Sequence, residues 1–469
     1  MAIQLETIRP LLDPKSIAII GASADFNKIG GRPIKALLDH NYQGEIFPIN
    51  PKYDSIANLA CYPSLSDVPS EIDLGIIILP GSAVHKAAIE CGERGVKAII
   101  VMSAGFAEVD ESGKAKQDDL LEICEKYGMR MLGPNTVGLF NLWSGVMANF
   151  GIAPYLGSVE KGKIGMVSHS GSFSSALFLH ASRNNIGLSY FVGIGNQADV
   201  DVADCIAYMA ESSNTDVILC YFEGINDLNK LEEALKLAKE NNKAVLVLKS
   251  GRTAAGKELA LKHTSSDAGD DSVYQELFNK YGVYRVNSFE EMFDIAKAIV
   301  LCGIPSGKNV AVFSISGGAN ILLADQLIEN GVHFGQPDKE TQKELLEMVP
   351  FANLANPIDM TAQLLNQPEI MREFIKKVLS QGNYDISLVY LANILYNEKT
   401  LDQYLSIFKD LKETFPNMPF ILSNSAQTEK VFADLGIATY DDIYRMGRVT
   451  IALNQFHDNF NTDKIKAHS

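Results

Sequence analysis

Strand-like apolar runs alternate with amphipathic helical stretches along nearly the whole chain, and this alternation restricts the fold to parallel α/β layers. In such layers each strand is followed by a helix that crosses back over the sheet, so functional loops gather at the strands' carboxyl ends. Over the first third, strands are expected at Ile17–Gly21, Glu45–Pro48, Leu74–Leu79, Lys97–Met102 and around Arg130. Helices are expected at Ile29–Asp39, Val84–Arg94 and Lys114–Tyr127, which together make a Rossmann-type unit. A second unit has strands at Lys163–Val167, Leu188–Val192, Val217–Phe222 and Ala244–Lys249, with a helix at Ser172–Ser182. Pro305 and Gly307 mark a linker, and a third unit opens with the strand Val310–Phe313 and the helix Ala319–Asn330. A chain of 469 residues has room for three such domains, and the boundaries fall at 1–145, 146–304 and 305–469.

An internal echo narrows the function. Gly162-Lys163 followed by Ser168-x-Ser170-Gly171 recurs as Gly307-Lys308 followed by Ser314-x-Ser316-Gly317-Gly318. Each copy reads as strand, serine–glycine turn, helix. Such a turn aims unpaired backbone N–H groups and the positive end of a helix dipole at one point. Glycine lets the backbone approach an anion closely. Ser168, Ser170, Gly171, Ser316, Gly317 and Gly318 are therefore expected to bind phosphate, with the two helix starts clamping one anion.

The first strand-to-helix turn, Gly21-Ala22-Ser23 through Lys28 to Gly30-Gly31, is not the G-x-G-x-x-G of a dinucleotide site. No acid ends the second strand; Asn50-Pro-Lys52 stands where a ribose-binding Asp or Glu belongs. A lysine at each of the first two strand ends suits a ligand carrying several phosphates better than a bare nicotinamide dinucleotide, which counts against a dehydrogenase.

The segment Gly251–Asp271 leaves the strand Ala244–Lys249 and carries three glycines, several small residues and His263. It is expected to be a surface loop with room for one helical turn, presenting the imidazole on a movable arm. Gly251 to Glu258 nearly spells a P-loop, but Glu258 replaces the hydroxyl that would ligate magnesium and would repel phosphates. A histidine on an arm beside two anion-binding turns suggests phosphoryl transfer through phosphohistidine. Glu223, at the end of the strand Val217–Phe222, is placed to hold the second ring nitrogen and offset the developing charge.

Composition excludes other classes. A net charge of −16 argues against nucleic acid as a partner, since backbone binding needs a basic face. No apolar run reaches membrane-spanning length, and the first residues, with two acids, do not form a secretory signal. Six scattered cysteines without C-x-x-C, and no zinc-spaced His/Cys cluster, read as reduced core thiols of a cytoplasmic protein with no metal of its own.

These residues together resemble the alpha subunit of ADP-forming (NDP-forming) acetyl-CoA synthetases, relatives of succinyl-CoA synthetase, over nearly the whole length. The resemblance rests on Ile17–Ser23 with Lys28-Ile-Gly30, Pro48–Lys52, Ser103–Glu108, Gly133-Pro-Asn135, Ser168–Gly171 and Gly193–Asn196 with Asp199 and Asp201. It rests also on Tyr221–Gly224, Ser250–Thr253 with His263-Thr264 and Ala268-Gly269, Gly317-Gly318 and Asn356-Pro-x-Asp359. It implies a CoA-binding Rossmann-type domain followed by two flavodoxin-like domains. CoA would be held by Gly21, Ala22, Ser23, Lys28, Asn50, Lys52, Pro80, Ser103, Ala104 and Gly105, and Asn135 would border the acyl pocket. His263 would carry the phosphoryl group and Glu223 would hold its ring, interconverting acyl-CoA, ADP and phosphate with a small carboxylic acid, CoA and ATP through an acyl phosphate. No stretch resembles the family's ATP-grasp domain, so a beta subunit supplying ADP/ATP and Mg is expected, in a hetero-oligomer. The chain departs from the family pattern at Lys262 and Ser265 (usually Ser and Gly), Thr136 (often Cys) and Ala319-Asn320 (often Pro-Gly). The changes beside His263 keep open a second reading, a CoA- or acyl-CoA-binding module or sensor without catalysis.

Overall fold

The computed structural model describes residues 4–151, 159–264, 268–424 and 428–461, with the side chains of 261–264 and 461 outside the description. The chain divides into two compact units, Met1–Val286 and Asn287–Ser469.

The first unit holds two large sheets and a small antiparallel one, Ser55–Ile56 with Leu59–Ala60. One large sheet is parallel, in the order Glu45–Ile49, Ser16–Ile20, Leu74–Ile77, Ala98–Val101, Arg130–Leu132. Ser16–Ile20 and Leu74–Ile77 are buried throughout, as near-continuous apolar strands covered on both faces must be. Strand order reverses at Ser16–Ile20, so the crevice for a ligand lies at the carboxyl ends of that strand and its neighbours. The other sheet has the order Tyr284–Arg285, Ala244–Lys249, Val217–Phe222, Lys161–Ser168, Leu188–Gly193, Leu139–Asn141, with the last strand antiparallel. Its register pairs Phe222 with Lys249 and Tyr221 with Ser168. The residues that follow therefore emerge side by side on one edge. A half-buried ion network ties the two sheets together. Arg130 meets Asp199 at 2.9 Å and Asp204 at 3.2 Å, and Lys230 meets Asp204 at 2.6 Å.

The segment expected as a loop after Lys249 is instead the helix Ala254–Thr264, three turns long. Thr253 starts it, its hydroxyl accepting from the N–H of Gly256 at 3.1 Å. Ala, Glu, Leu and Lys then supply strong helix formers, which outweigh the scarcity of apolar residues. The helix buries Ala260 and leaves Leu259 exposed.

The second unit is built on a parallel sheet in the order His333–Phe334, Asn309–Ser314, Ile386–Ala392, Phe420–Asn424, Ala438–Tyr440, with Ile358–Asp359 also pairing against Asn309–Ser314. Its core gathers Phe313, Phe374, Leu388, Phe408 and Leu422. The helix Phe289–Cys302, read from sequence as closing the middle domain before residue 305, belongs to this unit. Its buried side chains find their partners there. Asp294 pairs with Arg445 at 2.7 Å, Lys297 donates to Thr439 O at 2.8 Å, and Tyr440 donates to Asp294 O at 2.7 Å.

The six cysteines are free thiols, five of them buried and Cys302 partly so. Burial pushes every one of them upward, Cys124 to about 12 and Cys302 to about 11. Among the described residues no helix is long and apolar enough to cross a membrane.

Candidate functional site

At the first sheet's carboxyl edge, the expected CoA residues lie on consecutive strand ends. Gly21–Ser23 follow Ser16–Ile20, Asn50 and Lys52 follow Glu45–Ile49, Pro80 follows Leu74–Ile77, and Ser103–Gly105 follow Ala98–Val101. Gly21 has φ +94°, and a Cβ there would stand 2.3 Å from Ile78 O, so no other residue fits that turn. Asn50 fastens two of these ends, its side-chain N–H donating to Ala22 O at 2.7 Å and its oxygen accepting from Lys52 N at 3.0 Å. Ser103 donates to Leu79 O at 2.5 Å. Pro80, Ala104, Gly105, Lys28 and Lys52 are exposed.

A carboxylate that the sequence reading gave no role shapes the loop. Glu108 accepts from Gly105 N at 2.6 Å and Phe106 N at 3.2 Å, and from the Asn196 side chain at 2.6 Å. Partial burial opposes its charge, yet these donors hold the carboxyl below its usual range. Asn196 in turn accepts from Asn135 at 3.2 Å. Loop 103–106, Asn135 and the turn after Gly193 thus form one polar chain joining the two sheets. Thr136 is buried and donates to Gly193 O.

Glu223 emerges at the carboxyl edge of the second sheet and is buried, 4% exposed. Four side chains from four elements grip the backbone around it. His169 Nδ1 accepts from Glu223 N at 3.4 Å, Lys249 donates to Glu223 O at 2.6 Å, Gln197 donates to Gly224 O at 3.0 Å, and Tyr274 Oη accepts from Ile225 N at 3.1 Å. An Nδ1 that accepts must carry a lone pair, so the His169 proton sits on Nε2 when the ring is neutral. Burial, with Glu223 nearby, holds the Tyr221 hydroxyl above its ordinary range, and that hydroxyl lies 3.4 Å from a Glu223 carboxylate oxygen as a donor. The grip fixes the backbone that carries this buried carboxylate, a placement that suits orienting a second group rather than being solvated. None of the four gripping residues stood out in the sequence, because each acts through backbone atoms of a segment distant in the chain.

The two serine–glycine turns have the same internal geometry. Ser168 Oγ donates to Ser170 O at 2.8 Å and accepts from Ser170 N at 3.0 Å. Ser314 Oγ donates to Ser316 O at 2.9 Å and accepts from Ser316 N at 2.9 Å. Ser168, expected among the phosphate ligands, is fully buried, and its hydroxyl builds the turn. Neither following helix, Ser172–Asn184 or Gly317–Glu329, has a side-chain cap; in the first, Phe173 N and Ser174 N donate to Ser170 O and Gly171 O at 3.3 and 3.1 Å, so an anion would be met by the N–H groups ahead of them. The glycines differ in what requires them. A Cβ on Gly171 would press on Val137 at 2.2 Å, whereas Gly317 and Gly318 would meet nothing closer than 3.4 Å.

His263 lies in the helix Ala254–Thr264, and its ring, with the side chain of Lys262 and all of Ser265, lies outside the described residues. The helix's root is described: Gly251 has φ +70°, and Ser250 N donates to Phe222 O at 3.1 Å as the last rung between the two strands.

Comparison with known proteins meets this geometry. A CoA binding domain model matches residues 15–141, and a Succinyl-CoA ligase like flavodoxin domain model matches residues 161–299. The alpha subunit of Pyrococcus furiosus ADP-forming acetate–CoA ligase II is 32% identical over 437 residues, 92% of this chain and 93% of that one. ADP-forming acetate–CoA ligase II of Archaeoglobus fulgidus is 35% identical over 75% of this chain, but the match spans 52% of its own length. This chain thus covers about half of such relatives. The solved dinucleotide-forming acetyl-coenzyme A synthetase 1 of Ca. Korarchaeum cryptofilum, in complex with phosphate and ADP, superposes with a TM-score of 0.88 at 29% identity, covering 99% of this chain and 100% of that one. With the Rossmann-type edge, the doubled serine–glycine turn and the gripped Glu223 all in place, the chain belongs to the family of ADP-forming acetate–CoA ligase alpha subunits, which are acid–thiol ligase enzymes.

Proposed function

We propose that this chain carries the acyl and phosphoryl half of an ADP-forming acyl-CoA ligase, with His263 as the phosphoryl carrier. CoA lies on the first sheet's edge, on Gly21–Ser23, Lys28, Asn50, Lys52, Pro80 and Ser103–Gly105. Phosphate is received on the uncapped helix start at Ser170-Gly171, with Ser168 shaping the turn, and Ser316–Gly318, shaped by Ser314, is a second phosphate-binding turn of the same kind. A phosphate oxygen attacks the thioester carbonyl near Asn135, the C–S bond breaks, and CoA leaves as thiolate. A His263 ring nitrogen then attacks phosphorus, the bond to the acyl oxygen breaks, and the carboxylic acid departs. Glu223 accepts the hydrogen bond of the other ring nitrogen, fixing the tautomer and stabilising the charged phosphohistidine. ADP takes the phosphoryl group on a separate ATP-grasp subunit that also holds magnesium, in a cytoplasmic hetero-oligomer. The alpha-subunit name of the Pyrococcus relative and the half-length match to single-chain relatives support that division.

The observation that carries this reading is the fourfold grip on Glu223–Ile225 beside the root of the His263 helix. With an ATP-grasp subunit added, γ-labelled ATP is expected to leave an acid-labile, base-stable phosphate on this chain. Histidine 263 changed to alanine (His263→Ala) is expected to remove it. CoA binding with no label on the unaltered chain would instead identify a CoA-binding module without catalysis.

A further inference from the structure

One side chain joins Glu223 to the arm that bears His263. Lys249 closes its strand opposite Phe222, where the ladder between the two strands runs out after Ser250 N. Beyond that point Glu223 O and Ser250 O both need a donor. The Lys249 ammonium serves both, at 2.6 Å each, and its third side lies over the Tyr274 ring, 4.8 Å from the centroid. Every direction of the ammonium is thus committed, and the side chain is buried, 3% exposed. Tyr274 meanwhile holds Ile225 N, so ammonium, ring and strand end form one closed unit. Among the described residues no carboxylate pairs directly with this ammonium, a buried lysine is costly to keep charged, and a core position of this size would normally take an aliphatic residue.

We propose that Lys249 is a positioning residue for phosphoryl transfer, fixing Glu223 relative to the root of the His263 arm. The proposal rests on the reading of Glu223 and His263 given above. By holding Ser250 O it makes the strand rigid up to Ser250, so any swing of the arm begins at Gly251, whose φ of +70° no longer follows the strand. By holding Glu223 O it keeps the carboxylate where the returning ring must find it. Misplacement by about 1 Å at such a contact is worth roughly 10²-fold in rate.

The ammonium's charge is part of the design. A neutral amine would have to turn its lone pair toward a carbonyl oxygen or toward the electron-rich face of Tyr274, losing one of its three contacts. Burial pushes Lys249 down to about 8; Asp271 and Glu223 favour the charged form, while Arg285 and Lys257 oppose it. Arginine at this position would stay charged through that range.

The test is the rate at which labelled ATP and an ATP-grasp subunit load phosphate onto the unaltered chain, Lys249→Met and Lys249→Arg, with CoA affinity measured for each. Lys249→Met is expected to load at least about 30-fold more slowly, and Lys249→Arg to recover to within about fivefold, with CoA affinity unchanged within about twofold, because the CoA edge is untouched. Loading by the unaltered chain is expected to fall above about pH 8 while Lys249→Arg stays level. Equal loading by Lys249→Met, loss of CoA binding in step with loading, or matching pH profiles for the unaltered chain and Lys249→Arg would overturn the proposal. Absence of label on the unaltered chain would overturn the phosphohistidine reading itself, and this proposal with it.

Discussion

Lys249 and Lys297 are both buried lysines held by carbonyl oxygens and a tyrosine face, the second with its ammonium 4.2 Å from the Tyr440 ring centroid. Burial, only partly offset by Asp294, pushes Lys297 from the ordinary 10.5 to about 8. Between those two values the unfolded chain keeps a proton that the native chain has released, so this group's contribution to stability rises with pH there and is smallest below 8. Methionine at 297 removes that titration. The stability lost by Lys297→Met is therefore expected to be larger at pH 10 than at pH 7.5, read as the gap between the two proteins' denaturant midpoints at each pH. The place of Glu223 at a strand's carboxyl end was legible from sequence because an acid ending an apolar strand is conspicuous. Lys249 was not, because a lysine at a strand end reads as a solvated anchor until the register with Phe222 shows that it faces inward.

The doubled turn is where sequence spoke most clearly, since the order of strand, serine pair and glycine recurs and the two turns share one internal geometry. What spacing did not disclose is why each glycine is there. Gly171 is needed by Val137, and alanine there is expected to destabilise by overpacking, on the order of 1–3 kcal/mol. Gly318 sits at an open helix start, where alanine is expected to leave the fold as stable or stiffen it by about 0.5–1 kcal/mol. Thermal melts of Gly171→Ala and Gly318→Ala check that contrast. If phosphate approaches this helix start, Gly318→Ala also raises the phosphate concentration needed for turnover. The helix Ala254–Thr264 was the element sequence misjudged. Its glycines and weak apolar pattern suggested a loop, while Thr253 and the run of alanine, glutamate, leucine and lysine carried the local preference.

At the scale of the chain, the two large sheets of the first unit are built mainly on the expected strands, whereas in the second unit's sheet only Asn309–Ser314 was read from sequence. Helix Phe289–Cys302 precedes the Pro305 linker signal yet buries its polar side chains among Thr439, Tyr440 and Arg445, contacts without a local signature. The half-length match to single-chain relatives bears on function. Titration calorimetry of this chain alone is expected to show CoA binding and no ADP binding, with ADP heat appearing once an ATP-grasp subunit is supplied. The cysteines carry a last consequence. Thioester exchange requires a thiolate, and every thiol here is displaced upward by burial, with Cys124 near 12 and Cys302 near 11. Little thiolate is therefore present at neutral pH to compete with CoA for an activated acyl group.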